Sequence, residues 1–280
     1  MIKLSFATVG DNCIDRFRPS GMSLIGGNAV NVAVQLALLG HVSHYFGAVG
    51  DDDDGRRTIR ELAENGVEVE GVECRPGHTA YTLIDVLPSG ERLFAHEDFG
   101  ACAGYRPGPE DLILLKQMDH VHIGWMDDGG ALREELLSAG VSVSQDISVN
   151  TGERNRGVSG LSIAFASAGE DDAAAQIMLQ RLIDEGARLA VVTRGAKGAS
   201  VSDGKRSATT AAAPIKVIDT TGAGDSFIAG FIAAYRQGED WDSCLERGGR
   251  QAAVTCGHIG GFPQISASNL IDAGKGLPLR

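Results

Sequence analysis

The sequence predicts an α/β protein: a parallel sheet with crossover helices, joined by a separate small sheet. Three observations carry that expectation. Apolar strand-length runs alternate with amphipathic helix-length runs from Gly108 to Cys256, the pattern of a parallel sheet with crossovers. Glycine-rich turns open amphipathic helices, at Gly26-Gly27 and Gly222-Ala223-Gly224. One stretch, Thr79 to Phe99, breaks the rhythm with period-two alternation around Pro88-Ser89-Gly90, a hairpin set apart from the main sheet.

The 280 residues are 43% apolar and 22% charged, enough for one sizeable domain. A formal net charge of -12 argues against a nucleic-acid or anionic-membrane surface, since both need clustered Lys and Arg. An anionic ligand would be held locally, by backbone donors and a few cations. The five cysteines, Cys13, Cys74, Cys102, Cys244 and Cys256, lack Cys-x-x-Cys spacing and are odd in number, so they read as reduced thiols of a cytoplasmic protein. The apolar N-terminus reaches a turn by Gly10, too soon for a signal peptide or a membrane span.

In chain order, Ile2 to Val9 reads as a buried strand, and Asp11 follows at its C-terminal end, where α/β sheets present ligand groups. An Asx-turn accounts for Asp11 equally well. Gly26-Gly27 then leads into a helix from Asn28 to about Leu39, with Asn28 and Asn31 one turn apart on one side. Two amides there suit sugar hydroxyls, because an amide both donates and accepts. Ser43 to Val49 is the next strand. The acidic run Asp51 to Asp54 reads as the favourable first turn of the helix reaching Asn65 rather than a divalent-cation cage.

Further on, helices near 110–117 and 131–139 alternate with strands at 120–124, 141–147 and 161–166. His120 and His122 share one strand face and, lacking a third ligand, read as packing residues rather than a metal pair. Glu170 ends a strand and stands where a carboxylate could hold hydrated magnesium. The turn Thr193 to Gly198 carries Arg194 and Lys197 within reach of phosphates, although it is no Walker loop. Gly248, Gly249, Ala252 and Ala253 make one surface of the helix from about Trp241 to Cys256 small, for helix packing or a flat ring.

The chain is organised around Asp219-Thr-Thr-Gly-Ala-Gly-Asp225 and the helix behind it, with Phe227, Ile228, Phe231, Ile232 and Tyr235 at helical spacing. Gly222 and Gly224 allow a tight loop whose N–H groups converge, at the positive end of that helix, on a point that suits a phosphoryl group. Asp225 reads as a helix cap or as a general base for an attacking hydroxyl.

Together these motifs resemble the ribokinase family, also called the pfkB family of carbohydrate kinases. Gly26 to Ala33, with Gly40 and Gly50 at matching distances, carries one signature, and Asp219 to Ile232 the other. Within the family the likeness is greatest to members that phosphorylate fructosamines.

The resemblance implies a single domain over 1–280: a three-layer α/β/α ribokinase-like parallel sheet with a small β-sheet lid, its strands drawn from about 12–20 and 79–99. It implies Asp225 as catalytic base and the backbone of Gly222, Ala223 and Gly224 as anion hole. It assigns Asp11, Gly27, Asn28 and Asn31 to the sugar, and Thr193, Gly195 and Gly198 to ATP. Glu170 would act on Mg2+ through water, and Asp219 and Thr221 on a monovalent cation such as K+. Where the family often has Asn-x-x-Glu, this chain has Ser167-Ala-Gly-Glu170, which predicts altered magnesium dependence rather than inactivity.

The expected activity is ATP-dependent phosphorylation of a sugar, most simply the 6-hydroxyl of a fructosamine, with a homodimer formed through the lid. Two alternatives stay open here: a kinase for another ketose, sugar acid or nucleoside, and a sugar-binding regulator without turnover.

Overall fold

The structure, a computed structural model, describes residues 2–18, 20–86, 92–264 and 266–268. The first half forms β1 (Ser5–Val9), β2 (Cys13–Arg18), β3 (Met22–Gly26), α1 (Asn28–Leu38), β4 (Val42–Gly50), α2 (Asp53–Glu64), β5 (Val67–Glu68), β6 (Val72–Arg75), β7 (Tyr81–Val86) and β8 (Arg92–Asp98). Next come α3 (Pro109–Leu115), β9 (His120–Ile123), α4 (Ala131–Ser138), β10 (Val143–Asp146), β11 (Ile163–Ser167) and α5 (Asp172–Asp184). The chain then runs through β12 (Ala190–Thr193), β13 (Ala199–Ser202), β14 (Ser207–Thr210), α6 (Ala223–Arg236), α7 (Trp241–Thr255) and β15 (Ala267–Ser268).

The main sheet runs in the order β14-β13-β12-β11-β10-β9-β1-β4-β5, with β6 added along β4. From β12 to β5 every pairing is parallel, and β13 and β14 append antiparallel strands at one edge. Helices cover both faces, which is why its central strands are buried along nearly their whole length rather than on alternate residues. On β1, Ala7 and Val9 pack into a cluster that includes Leu115, Leu136, Leu179 and Leu182 from α3, α4 and α5. Phe6 points the other way, among Val32, Leu36, Phe227 and Phe231 from α1 and α6. The result is the three-layer α/β/α arrangement.

Of the small residues on α7, Gly248 serves helix packing, whereas Gly249 has open space beside it. A side chain on Gly248 would press into the Phe227 ring at 2.8 Å, and one on Gly230 would meet the Arg247 carbonyl at the same distance. The acidic run behaves as expected: Asp52 caps α2 by accepting from the Gly55 amide at 2.8 Å, with Asp53 and Asp54 in the first turn.

The second sheet has the order β15-β3-β2-β7-β8. It contains the β7–β8 hairpin and β2, together with β3 and β15, strands that the sequence reading did not assign. The turn at Pro88-Ser89-Gly90 lies outside the described residues. β2 follows directly on Asp11 and Asn12, so the sheet rises from the C-terminal edge of β1.

Candidate active site

The site assembles where β1, β9 and β10 end and the N-termini of α1 and α6 meet. Gly27 precedes α1 with φ 106°, and a Cβ there would lie 2.8 Å from the Asn12 Cα, so only glycine lets α1 start against the β1–β2 turn. No side chain of α1 caps its own N-terminus. Asp11 does so from across the turn: its carboxylate accepts from the Asn28 amide at 2.7 Å, the Ala29 amide at 3.3 Å and the Trp125 amide at 3.0 Å. Burial raises the Asp11 carboxyl above its ordinary range, and these three amides oppose the shift.

α6 starts in the same place. Gly222 is its N-cap with φ 74°, and α6 is held rigid by the buried Phe227, Ile228, Phe231 and Ile232. The first-turn amides of an α-helix have no partner within the helix. Those of Gly222, Gly224 and Asp225 donate to no protein atom among the described residues, whereas the Ala223 amide closes a turn onto the Thr220 carbonyl at 3.2 Å. Of the expected trio, Ala223 is therefore already engaged, and Asp225 supplies the amide that sequence reasoning omitted. Asp219 braces the loop. Its carboxylate, in a residue 3% exposed, accepts from the Thr221 amide and hydroxyl and from the Gly260 amide at 2.8, 2.9 and 3.0 Å.

Asp225 does not cap α6; Gly222 is the cap position, with no side-chain bond. Instead one Asp225 oxygen accepts from Asn28 Nδ2 and the other from Asn31 Nδ2, both at 2.7 Å. The two amides assigned to the sugar thus hold the carboxylate. Burial pushes the Asp225 carboxyl up to about 7, aided by the charges of Asp146 and Asp11 and opposed by the two asparagine donors.

Three groups around the site are not singled out by the sequence reading. Asp146, at the end of β10, accepts from Asn28 Nδ2 at 3.3 Å, and burial raises its carboxyl. Gly124 leaves room for the Asp11 carboxylate, which a Cβ would meet at 2.6 Å. Trp125 stacks on Phe99 at 3.9 Å between ring centroids, tying the end of the lid hairpin to the loop beside Asp11.

The remaining expected groups form a second cluster at the ends of β11 and β12. Thr193 ends β12, and the one-turn helix Gly195–Lys197 and Gly198 follow. Glu170 is exposed and lies against this turn; a Cβ on Gly195 would stand 3.3 Å from Glu170 Cγ. Among the described residues Glu170 makes no hydrogen bond or ion pair, which leaves it available to a hydrated cation. Arg194 and Lys197, which the sequence reading places within reach of phosphates, both bond Asp172, each at 2.9 Å. His120 and His122 are core residues, and no cluster of three or more His, Cys, Asp or Glu side chains forms a metal site among the described residues.

A buried carboxylate beside a helix N-terminus whose first amides have no protein partner among the described residues is an arrangement suited to moving a phosphoryl group onto a hydroxyl. The model of the pfkB family carbohydrate kinases matches residues 20–146 and 158–266, so the chain belongs to that family and is a carbohydrate kinase. The fructoselysine 6-kinase of Shigella flexneri is 34% identical to it over 260 residues, covering 92% of this chain and 99% of that one. The ATP-dependent ribose-1-phosphate kinase of Halopiger xanaduensis is 33% identical over 257 residues, 90% of this chain and 85% of that one. The solved structure of Arabidopsis thaliana ribokinase complexed with ribose and ATP shares the fold, with a TM-score of 0.81 at 19% identity over 92% of this chain and 94% of that one. All five cysteines are free thiols, and no helix among the described residues is long and apolar enough to cross a membrane.

Proposed function

We propose that the chain transfers the γ-phosphoryl group of ATP to the 6-hydroxyl of a fructosamine, with Asp225 as the base. The observation that carries this reading is the pair of 2.7 Å amide bonds that aim the Asp225 carboxylate beside the unpartnered amides of Gly222, Gly224 and Asp225. The acceptor hydroxyl displaces one or both asparagine amides from Asp225 and takes them as its own donors. Its proton passes to the Asp225 carboxylate as the oxygen attacks, and the α6 amides stabilise the negative oxygens of the phosphoryl in transfer. Thr193, Gly195 and Gly198 would hold ATP, and Asp219 and Thr221 are candidates to hold K+. The exposed Glu170 carboxylate, without a hydrogen bond or ion pair among the described residues, fits a hydrated cation: it would hold Mg2+ through water, and the ion would supply positive charge to the phosphates when bound.

The substrate class rests on electrostatics and on the relatives. Asp11, Asp146 and Asp225 meet at the sugar side, and Glu97 on β8 is raised above the ordinary carboxylate range by burial and by the charge of Asp11. A sugar carrying an ammonium group relieves that repulsion, and one carrying a phosphate adds to it. The ribose-1-phosphate relative favours a second reading, a phosphorylated sugar as acceptor. Comparing kcat/KM for fructoselysine, ribose 1-phosphate, fructose, a keto-deoxy sugar acid and adenosine decides between them. Preference for the fructosamine supports the first reading, and preference for ribose 1-phosphate replaces it. Sugar binding with no turnover on any of them makes the chain a sugar-binding regulator.

Two further expectations follow from the geometry. The base must be ionised, and its carboxyl is held near pH 7. The protonated form that prevails below that pH is inactive, so kcat/KM should fall about tenfold per pH unit below about 7 and level off above it. A flat profile between pH 5.5 and 8 would contradict the assignment. Because Glu170 is exposed and unpaired, Glu170→Gln should leave Tm unchanged while raising the Mg2+ concentration needed for half-maximal rate. Ser167→Asn should lower that concentration, and a titration identical to wild type would show that Ser167 does not bear on magnesium. Dimerisation through the lid is part of the same proposal, checked by sedimentation of wild-type protein.

A further inference from the structure

The face of the main sheet that packs against α1 and α6 is largely apolar; besides the separate hydroxyls of Thr8 and Ser43 it carries one connected line of polar side chains. His120 and His122 on β9 and Ser144 on β10 are each 0% exposed and sit among aromatic rings, with Phe6 beside His120 and Phe165 beside His122. Buried polar groups persist when each finds a partner, and these form an unbroken ladder. His122 Nε2 lies 3.1 Å from Asn28 Oδ1, and His122 Nδ1 lies 2.9 Å from Ser144 Oγ. Ser144 Oγ lies 2.8 Å from His120 Nε2, and His120 Nδ1 lies 2.9 Å from Ser142 Oγ. The ladder ends at the half-buried edge of the sheet, where Ser142 and Ser162 hydroxyls are 3.2 Å apart.

Its polarity follows from the active-site end. One end of the Asn28 amide faces two carboxylates, Asp225 at 2.7 Å and Asp146 at 3.3 Å, and ionised carboxylates only accept. That end is therefore the NH2, and the carbonyl oxygen faces His122, whose Nε2 must carry the hydrogen. His122 Nδ1 then accepts the single hydrogen of Ser144, Ser144 Oγ accepts from His120 Nε2–H, and His120 Nδ1 accepts the single hydrogen of Ser142, which in this polarity goes to the ring at 2.9 Å rather than to Ser162 at 3.2 Å. Burial keeps both rings neutral in the working range, His122 titrating at about 3 and His120 well below its ordinary value, with Arg236 of α6 and His122 adding to the shift of His120. The ladder cannot pass protons to Asp225, because an amide lies between them. What it can pass is orientation.

We propose that His122 is a positioning residue: its Nε2–H fixes the Asn28 amide with the NH2 toward Asp225, and Ser144 and His120 lock the ring in that tautomer. This rests on the reading of Asp225 as the base. Without the His122 donor, only the carboxylates orient the Asn28 amide; once Asp225 is protonated the amide can turn over and accept from the Asp225 hydroxyl, which stabilises the neutral form and raises the pKa. Besides Asn28 and Asn31 of α1, the titratable groups acting on Asp225 are Asp146 at the end of β10 and Asp11 in the β1–β2 turn, and both raise its pKa.

The test uses histidine-15N wild-type protein together with His122→Leu and His122→Gln, the latter restoring an amide donor. In wild type, both rings should be Nε2–H tautomers that do not titrate down to pH 5. Loss of a charge-assisted hydrogen bond should move the carboxyl titration of Asp225, read by 13C NMR and by the acid limb of kcat/KM, up by about one pH unit in His122→Leu. His122→Gln should stay near wild type. A merely structural role would lower Tm in both variants without moving the titration. An Nδ1–H tautomer at His122, or an unmoved titration in folded His122→Leu, overturns the proposal. Should His122→Leu not fold, the wild-type tautomer and the His122→Gln titration decide. Failure of the base assignment is distinct, since it would appear as wild-type turnover in Asp225→Asn while the tautomers and the 13C titration stood as described.

Discussion

Asp225→Asn is expected to retain the fold and nucleotide binding while losing about 10²- to 10⁴-fold in kcat, the range for removal of a positioned general base. The substitution keeps the shape of the side chain and one acceptor oxygen, so one of the two bonds from Asn28 and Asn31 survives. What disappears is the basic oxygen that receives the hydroxyl proton. The nucleotide turn at Thr193 to Gly198 belongs to different strands and shares no hydrogen bond with Asp225 among the described residues. The Kd for ATP, measured by calorimetry, should therefore stay within a few-fold of wild type. An Asn variant with wild-type turnover would remove Asp225 from the chemistry.

The second large effect is expected at Gly222. Its φ of 74° lies in the left-handed region, where an L-side chain costs about 1–2 kcal/mol. A Cβ there would also stand 2.3 Å from the Gly261 Cα, a backbone contact that cannot yield by rotating a side chain. Gly261 is itself wedged against Asn31, whose Oδ1 a Cβ on Gly261 would meet at 2.3 Å, so a shift at Gly222 reaches the amide that holds Asp225. Gly222→Ala should thus disturb both the α6 amides and the base. Its kcat should fall about 10²- to 10³-fold, the scale of a lost oxyanion donor, with a lowered Tm. Gly224→Ala is the control. Gly224 is not at positive φ and has open space where the Cβ would go, so its Tm should not fall. Wild-type kcat in Gly222→Ala would show that the loop geometry does not matter to transfer.

Much of this architecture was legible because it is local. The Gly26-Gly27 and Gly222-Ala223-Gly224 turns, the apolar face of α6 and the alternation of β7 and β8 each announce themselves within a dozen residues. The apolar stretch Met22 to Gly26 did not, because its pairing with β2 and β15 is visible only once the second sheet closes. The sequence marks Asp11, Asn28, Asn31 and Asp225 as candidate site residues and the structure brings them together, but the direction of their contacts is not legible in the sequence. Asp11 holds the α1 and Trp125 amides, and the two asparagines hold Asp225. Asp146 was missed because it meets Asn28 across 118 positions of sequence. The one usable signal was a carboxylate at the C-terminal end of a parallel strand, the same signal that Asp11 gave. His122 was read correctly as a packed residue, yet its bond to Asn28 depends on β9 lying beside β1 and below α1, which no short-range pattern encodes.

The most direct test of the central claim is 31P NMR of the product formed from MgATP and fructoselysine. In a fructosamine C1 carries the amine, which leaves C6 as the only primary alcohol. The account predicts ADP and one new phosphomonoester whose phosphorus couples to two methylene protons, formed by wild type and not at a comparable rate by Asp225→Asn. A phosphorus coupled to a single proton, or no new ester while another sugar is phosphorylated, would contradict it.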